Sequence, residues 1–442
     1  MTATHRSNQS LLVIIIVLAG LTAIVMAGLA LLLVAAPASV GAAAQQPARV
    51  LPITNPPNPP TTVPATHPRL TAEQLQYAGA FRLPADEING VSFGFGGYPA
   101  AFNAANNSLF IGARGGFIAE VTIPEPVNSS DIAAMPFAQF LQRFADPSDG
   151  RIKKEIAPDG VSLSGLLVHD RRLLATASVF YDANNDQSLS HFSRPLTLGD
   201  AGASKLVRVW DSGKTGYVAG YMANVPPEWQ SPLGGPVVTG QCCLPIISRT
   251  SWGPAAFAFD PADVYTGRNT GAHPLVYYEA SHATLGRWDG SNPIYGGSTQ
   301  VGGLALIGGT RTALFIGRNG TGPFCYGNGT SNESQAHTRG PDGEVYCYDP
   351  TTSDKGQHAY PYRFQAWAYD LSELAEVRAG KRDPWDVKPY AVWPIAFPID
   401  EPAVRIGSVA HDLTGRRLFV IQMLADRDGY ASRPLVHVFR LP

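Results

Sequence analysis

Gly407-Ser408-Val409-Ala410-His411-Asp412, then Thr414-Gly415, then Arg417-Leu418-Phe419-Val420-Ile421, and after a loop Leu435-Val436-His437-Val438-Phe439-Arg440, decide how this chain is read. β-Branched and aromatic residues fill all three runs, and a Thr-Gly turn separates the first two. That is the composition of antiparallel strands joined in sequence. One continuous stretch is therefore expected to form a three-stranded antiparallel sheet.

The pattern recurs upstream. A first copy has runs at 98–102, 109–112 and 117–121, with a turn at Ala105-Asn106-Asn107. A second has 166–169 and 173–177 around Asp170-Arg171, and a third has 255–261 and 274–278. A fourth has 303–307, 313–317, 344–348 and 364–369. Short helical patterns at 131–142 and 371–377 stand between third and fourth strands in the first and fourth copies. Five copies leave about 75 residues for each, above the ~40–50 of compact repeats. Long insertions would explain the excess, or a sixth copy in the irregular stretch 205–253.

Residues 76–84 are similar to the last six residues, His437-Val438-Phe439-Arg440-Leu441-Pro442. This reads as closure: the N-terminal strand completes the last sheet and leaves no open edge between the two ends. The arrangement resembles the β-propeller class, in particular repeats of the NHL and lactonase-like type with their strand, Asp/Asn turn, strand unit. The resemblance is one of architecture. It implies an all-β propeller over 69–442, with five blades expected, six or seven as alternatives, and a sandwich or two β domains as the rival. In propellers the loops from second to third strands and those leading into first strands share one face around the central channel.

Composition agrees with many short strands: 442 residues, 15% charged, 45 glycines and 37 prolines. A formal net charge of −2 without a Lys/Arg-rich block argues against nucleic acid, whose phosphates need a basic surface. Residues 11–34 are an unbroken apolar run behind Arg6. As a helix it would span roughly 36 Å against a hydrocarbon core of ~30 Å. Ala42-Ala43-Ala44 also offers a small-residue cleavage site, so 1–44 is either a membrane anchor or a removed signal peptide. Either way the rest is exported. The Pro-rich segment 45–68 would be an extended spacer. Four cysteines suit an oxidising compartment, and Cys325 is expected to pair with Cys347.

Sorted by the propeller's loop face, the candidate ligand-binding residues are Arg114, Arg318 and Arg405, whose planar forks suit carboxylate, sulfate or phosphate. Trp252 and the adjacent Cys242-Cys243 join them from a Gly/Pro-rich insertion. A bond between neighbouring cysteines would make a stiff apolar platform, with two thiols as the alternative. Enzymes carrying pyrroloquinoline quinone are similar in stacking such a ring on their cofactor, but their tryptophan-docking repeats are missing here. Asp182, Asn184, Asp186 and Ser188 place oxygens at alternate positions, as Ca²⁺ loops do. Gln187, however, stands where such a loop needs glycine. Gly90-Val91-Ser92-Phe93-Gly94 has the spacing of a nucleophile elbow but leads into a strand rather than a helix.

The function expected is recognition of a small anionic or carbohydrate-like ligand, such as a glycan, in a pocket on the loop face. The alternative is a hydrolase or lyase, glycosidase- or lactonase-like, in the same pocket. Glycosidase chemistry needs carboxylates converging on the channel, and Asp159, Asp182 and Asp426 are the candidates. A second alternative is a cell-surface scaffold for protein contacts, which would carry apolar patches on the outer faces.

Overall fold

In the strand Thr312–Gly320, Ala313 and Phe315 enter one apolar layer while Leu314 and Ile316 enter another. A strand turns successive side chains to opposite faces, so a run that is apolar throughout must be covered on both sides. That condition organises the whole molecule. The computed structural model describes residues 66–157, 159–244, 249–289, 292–399, 404–427 and 431–442. The apolar run 11–34 and nearly all of the spacer lie outside them. Among the described residues no helix is long and apolar enough to cross a membrane.

The fold is all-β, with few and short helices. The strand β1 (Gln76–Arg82) comes first, then β2 (Ala100–Asn103), β3 (Ser108–Gly112), β4 (Ile118–Thr122) and β5 (Phe140–Ala145). Next are β6 (Val161–His169), β7 (Arg172–Val179) and β8 (His191–Pro195), then β9 (Tyr221–Asn224), β10 (Val237–Gly240), β11 (Ala256–Phe259) and β12 (His273–Val276). They are followed by β13 (Gln300–Ile307), β14 (Thr312–Gly320), β15 (Cys325–Thr330), β16 (Tyr346–Tyr348), β17 (Lys355–His358), β18 (Tyr362–Asp370) and β19 (Ala391–Pro394). The last three are β20 (Ile406–Asp412), β21 (Arg417–Asp426) and β22 (Arg433–Arg440).

Five antiparallel sheets follow in sequence: β2-β3-β4-β5, β6-β7-β8, β9-β10-β11-β12, β13-β14-β18-β19 and β20-β21-β22-β1. Their first strands are neighbours in turn: β2 beside β6, β6 beside β9, β9 beside β13, β13 beside β20, and β20 beside β2. Between consecutive sheets lie five apolar layers, so the second strand of each sheet is sandwiched. Leu418 and Val420 of β21 face one neighbour, Phe419 and Ile421 the other. The arrangement is propeller-like.

Two readings of the sequence are corrected here. The stretch 205–253 holds no extra sheet. It supplies β9 and β10, the first two strands of the third sheet, so the run around Ala256–Phe259 is that sheet's third strand. The run at 344–348 belongs not to the fourth sheet but to a small inserted one, β16-β15-β17, placed between β14 and β18. Of the two helical patterns, 371–377 forms the helix Leu371–Arg378, capped by Asp370, which accepts from Ser372 N at 2.9 Å. The pattern 131–142 becomes a 3₁₀ turn, Ile132–Ala134, then β5. Pro136 interrupts any helix there, and Phe140 and Phe144 pack on Phe93 at ring distances of 5.9 and 4.9 Å.

Close approach of the first strands rests on glycine. The pairing of β13 with β14 shifts register between Val301 and Gly303, and that of β20 with β21 between Ile406 and Ser408, which leaves Gly302 and Gly407 at bulges. A Cβ at Gly302 would strike the Ile406 carbonyl of the next sheet, and one at Gly407 the Gly97 carbonyl. Gly165 of β6 likewise faces the Gly220 carbonyl, just before β9.

The sheet that joins the two ends is fastened by a histidine. β1 pairs antiparallel with β22 from Gln76↔Arg440 to Arg82↔Leu435. His437 of β22, fully buried, sits between Tyr77 of β1 (OH to Nδ1, 3.0 Å) and Gln422 of β21 (Nε2 to Oε1, 2.9 Å). Nε2 therefore carries the proton, and Nδ1 accepts from the tyrosine. Burial lowers the imidazole pKa from 6.5 to about 3.

Gly165→Ala is expected to destabilise the fold by about 1–3 kcal/mol in urea denaturation, the cost of overpacking. Gly199→Ala, with nothing within 4 Å of a Cβ, should stay near wild type. The unfolded chain's imidazole takes up a proton as pH drops below 6.5, whereas folded His437 resists until about 3. Stability should therefore fall as pH falls through that window, by about 1.4 kcal/mol per unit for each such histidine. His437→Gln should flatten the slope by that amount, measured as denaturation midpoints between pH 6.5 and 4.

Candidate functional site

β13 and β14 run antiparallel with Gln300 opposite Arg318. Extending the register one step outward, Thr299 Oγ1 donates to Asn319 Oδ1 at 2.5 Å. A further step brings Ser298 Oγ against Gly320. The two-residue period then puts Ser298, Gln300 and Arg318 on one face of the sheet, and Ser298 and Ala359 close tightly on Gly320, where a Cβ would not fit. From β18, Tyr362 lies opposite Gly320, and its ring sits under the Arg318 guanidinium at 4.1 Å. The Tyr362 hydroxyl donates to Asp349 Oδ2 at 2.6 Å.

Arg318 is only 8% exposed. Burial lowers its pKa to about 10, and the positive charge of Arg405 pushes in the same direction, against Tyr362 and Asp349. Arg405 itself is exposed, just before β20 on the neighbouring sheet. Two guanidinium groups that feel each other's charge make a place where an anion is favoured. Ser298 Oγ and Gln300 Oε1 are buried atoms without a hydrogen-bond partner among the described residues.

The inserted sheet supports this corner. Cys325 and Cys347 are bonded, their Cα atoms 5.6 Å apart, as expected from the sequence. Just beyond, Asp349 takes His358 Nδ1 at 2.9 Å and Thr351 N at 3.0 Å. Burial raises the Asp349 pKa, but hydrogen bonds from His358, Thr351 and Tyr362 outweigh it and bring it down to about 2. The carboxylate is therefore charged at any ordinary pH and fixes the Tyr362 ring on which Arg318 lies.

Across the same face, Cys242 and Cys243 are bonded to each other, with Cα atoms 3.7 Å apart. Cys243 adopts φ 68°, and its N–H donates to Ser251 O at 2.9 Å. It packs against an apolar cluster that includes buried Trp252. Trp252 lies 5.9 Å from Trp288, which in turn meets Phe324 edge-on at 5.1 Å. The result is a disulfide-and-aromatic cluster, largely buried, that runs from Cys242–Cys243 through Trp252 and Trp288 to Phe324.

The remaining expected residues are placed apart. Arg114 is exposed on the 3₁₀ turn Arg114–Gly116, 5.7 Å from the Phe95 ring, so it does not share the buried setting of Arg318. Asp159 is exposed and makes no ion pair among the described residues. Asp426 is buried and clamped by Arg82 (3.0 Å twice) and Arg433 (3.2 Å). Asp182 is buried and accepts the amides of Asp186 at 2.7 Å and Gln187 at 3.1 Å, while Asn184, Asp186 and Ser188 are exposed. Among the described residues no group of three or more His, Cys, Asp or Glu is placed to hold a metal ion. Ser298, Gln300, Tyr362 and the buried Arg249 were not anticipated. The alternation of Ser298 and Gln300 ahead of the β13 run was the one available sign.

No family model matches this chain, and no curated protein matches it. Among solved structures, it is similar to a luciferin-regenerating enzyme, with 9% identity and a TM-score of 0.33, covering 84% of this chain and 94% of that one. A glycosyl hydrolase from Bacteroides ovatus is also similar, with 11% identity and a TM-score of 0.40, covering 85% and 93%. Likeness at this level carries no argument about chemistry.

Cys325→Ser with Cys347→Ser is expected to remove about 3 kcal/mol of stability, the chain-entropy value for a loop of this size. The loss should appear as earlier hydrogen exchange in the inserted sheet than in β20–β22.

Proposed function

We propose that this chain is a five-bladed β-propeller closed by β1, exported from the cytoplasm, whose loop face takes a small anionic or carbohydrate-like ligand anchored by Arg318. The observation that carries the reading is the setting of that arginine: buried, lying over Tyr362 at 4.1 Å, and flanked by Gln300 and the charge of Arg405. A guanidinium held flat on a ring cannot search for partners, so its fork is preorganised for a carboxylate or sulfate. The polar atoms of Ser298 and Gln300 suit the hydroxyls of a sugar. Two disulfides support an extracytoplasmic, oxidising setting.

A second reading is a hydrolase or lyase acting on the same ligand class. The uncommitted carboxylate of Asp159 favours it, since Asp182 and Asp426 are already neutralised by neighbours. Calorimetric titration with glucuronate and with glucose tests the first reading. Glucuronate is expected to bind, and Arg318→Gln to weaken it by about tenfold or more, whereas Arg268→Gln, far from this corner, leaves it unchanged. Equal binding of both sugars, untouched by Arg318→Gln, sinks the proposal. Turnover of a uronate glycoside that Asp159→Asn abolishes would decide for the hydrolase.

A further inference from the structure

Away from the Arg318 corner, two groups of buried or half-buried arginines have their donors supplied. Arg194, fully buried on β8, donates to the carbonyls of Asp146, Pro195, Thr197, Leu198 and Asp200 at 2.6–3.3 Å. Arg82 and Arg433 share Asp426. Arg249 differs. It is 2% exposed, and none of its three guanidinium nitrogens has a hydrogen-bond partner among the described residues. Its counter-charge is Asp182 Oδ2, 3.8 Å from Nη1 and beyond hydrogen-bond reach. Both oxygens of that carboxylate already accept backbone amides, from Asp186 and Gln187. Asp182 therefore offsets the charge of Arg249 without filling its donors, and burial lowers the arginine's pKa.

We propose that Arg249 anchors a second ligand position, on the loop face between the second and third sheets, that takes an oxyanion of the sulfate or carboxylate kind. The donors set the chemistry. A guanidinium offers five N–H groups in a planar fork and no acceptor, so what completes it must bring at least two oxygens and favour positive charge. The location suits a ligand. Asp182 lies in the loop after β7 and Arg249 in the loop after β10, which begins with the Cys242–Cys243 pair. Phe180 and Tyr181, directly before Asp182, are 54% and 75% exposed and offer apolar surface to the body of such a ligand. This position is independent of Arg318 and stands whether or not that site binds.

The test uses the full chain carrying Arg318→Gln, which silences the first site, titrated with sodium sulfate and with sodium acetate against sodium chloride at matched ionic strength. Sulfate or acetate should raise the thermal midpoint where chloride does not, and the more effective of the two identifies the geometry preferred. Adding Arg249→Lys keeps the charge but removes the fork, and should weaken binding by about tenfold. Asp182→Asn removes the competing negative charge and should tighten it several-fold. Identical midpoints in the three salts overturn the proposal, as does sulfate affinity unchanged by Arg249→Lys. If the lysine variant does not fold, the asparagine variant decides: affinity no tighter than its parent overturns the proposal.

Discussion

The pairing of β1 with β22 is the constraint from which the remaining geometry follows. A series of sheets set side by side has two exposed flanks unless the first and last segments of the chain meet in one sheet. Here they do, and the pairing is deepened by His437, which reaches Tyr77 on one side and Gln422 on the other. With β20 set beside β2, every first strand has a neighbour on each side. Arg318 of β14 and Arg405 before β20 are thereby held on adjacent sheets, close enough for each to feel the other's charge.

Burial on both faces explains what the sequence could tell. Runs such as Leu418-Phe419-Val420-Ile421 are apolar at every position because odd and even residues serve different layers, and such runs stand out. The same logic explains what stayed hidden. β9 and β10 are four residues each, embedded among Pro226, Pro227, Gly234, Gly235 and Pro236, where turn composition masks a strand. β16 is three residues long and half exposed, so its Tyr346-Cys347-Tyr348 reads equally well as part of the main sheet. At the site, Arg318 could be named from its place after an apolar run. Arg405 could be named in the same way from its place before a first strand, but Gln300 and Tyr362 could not, because they arrive through register, which no local pattern encodes.

Electrostatics sorts the charged groups by how completely each is satisfied. In a chain with 15% charged residues, a buried charge is costly unless hydrogen bonds or a partner compensate it. Asp426 with two arginines, Asp349 with His358, Thr351 and Tyr362, and Arg194 with five carbonyls meet that condition and hold loops in place. They are structural because nothing more can be added to them.

Arg318 and Arg249 are set differently. Arg318 is fixed on Tyr362 and repelled by Arg405, while the neighbouring oxygens of Ser298 and Gln300 have no partner among the described residues. Arg249 is sealed in beside a carboxylate too distant to take its protons. Arg318 is backed by the inserted sheet through Tyr362 and Asp349, and Arg249 lies in the loop after β10 that begins with the paired cysteines. A bonded pair of cysteines and a disulfide-closed sheet restrict the conformations open to the segments beside these arginines. On the reading proposed for the two arginines, an oxyanion would meet donors already oriented, and energy withheld from folding would become available for binding.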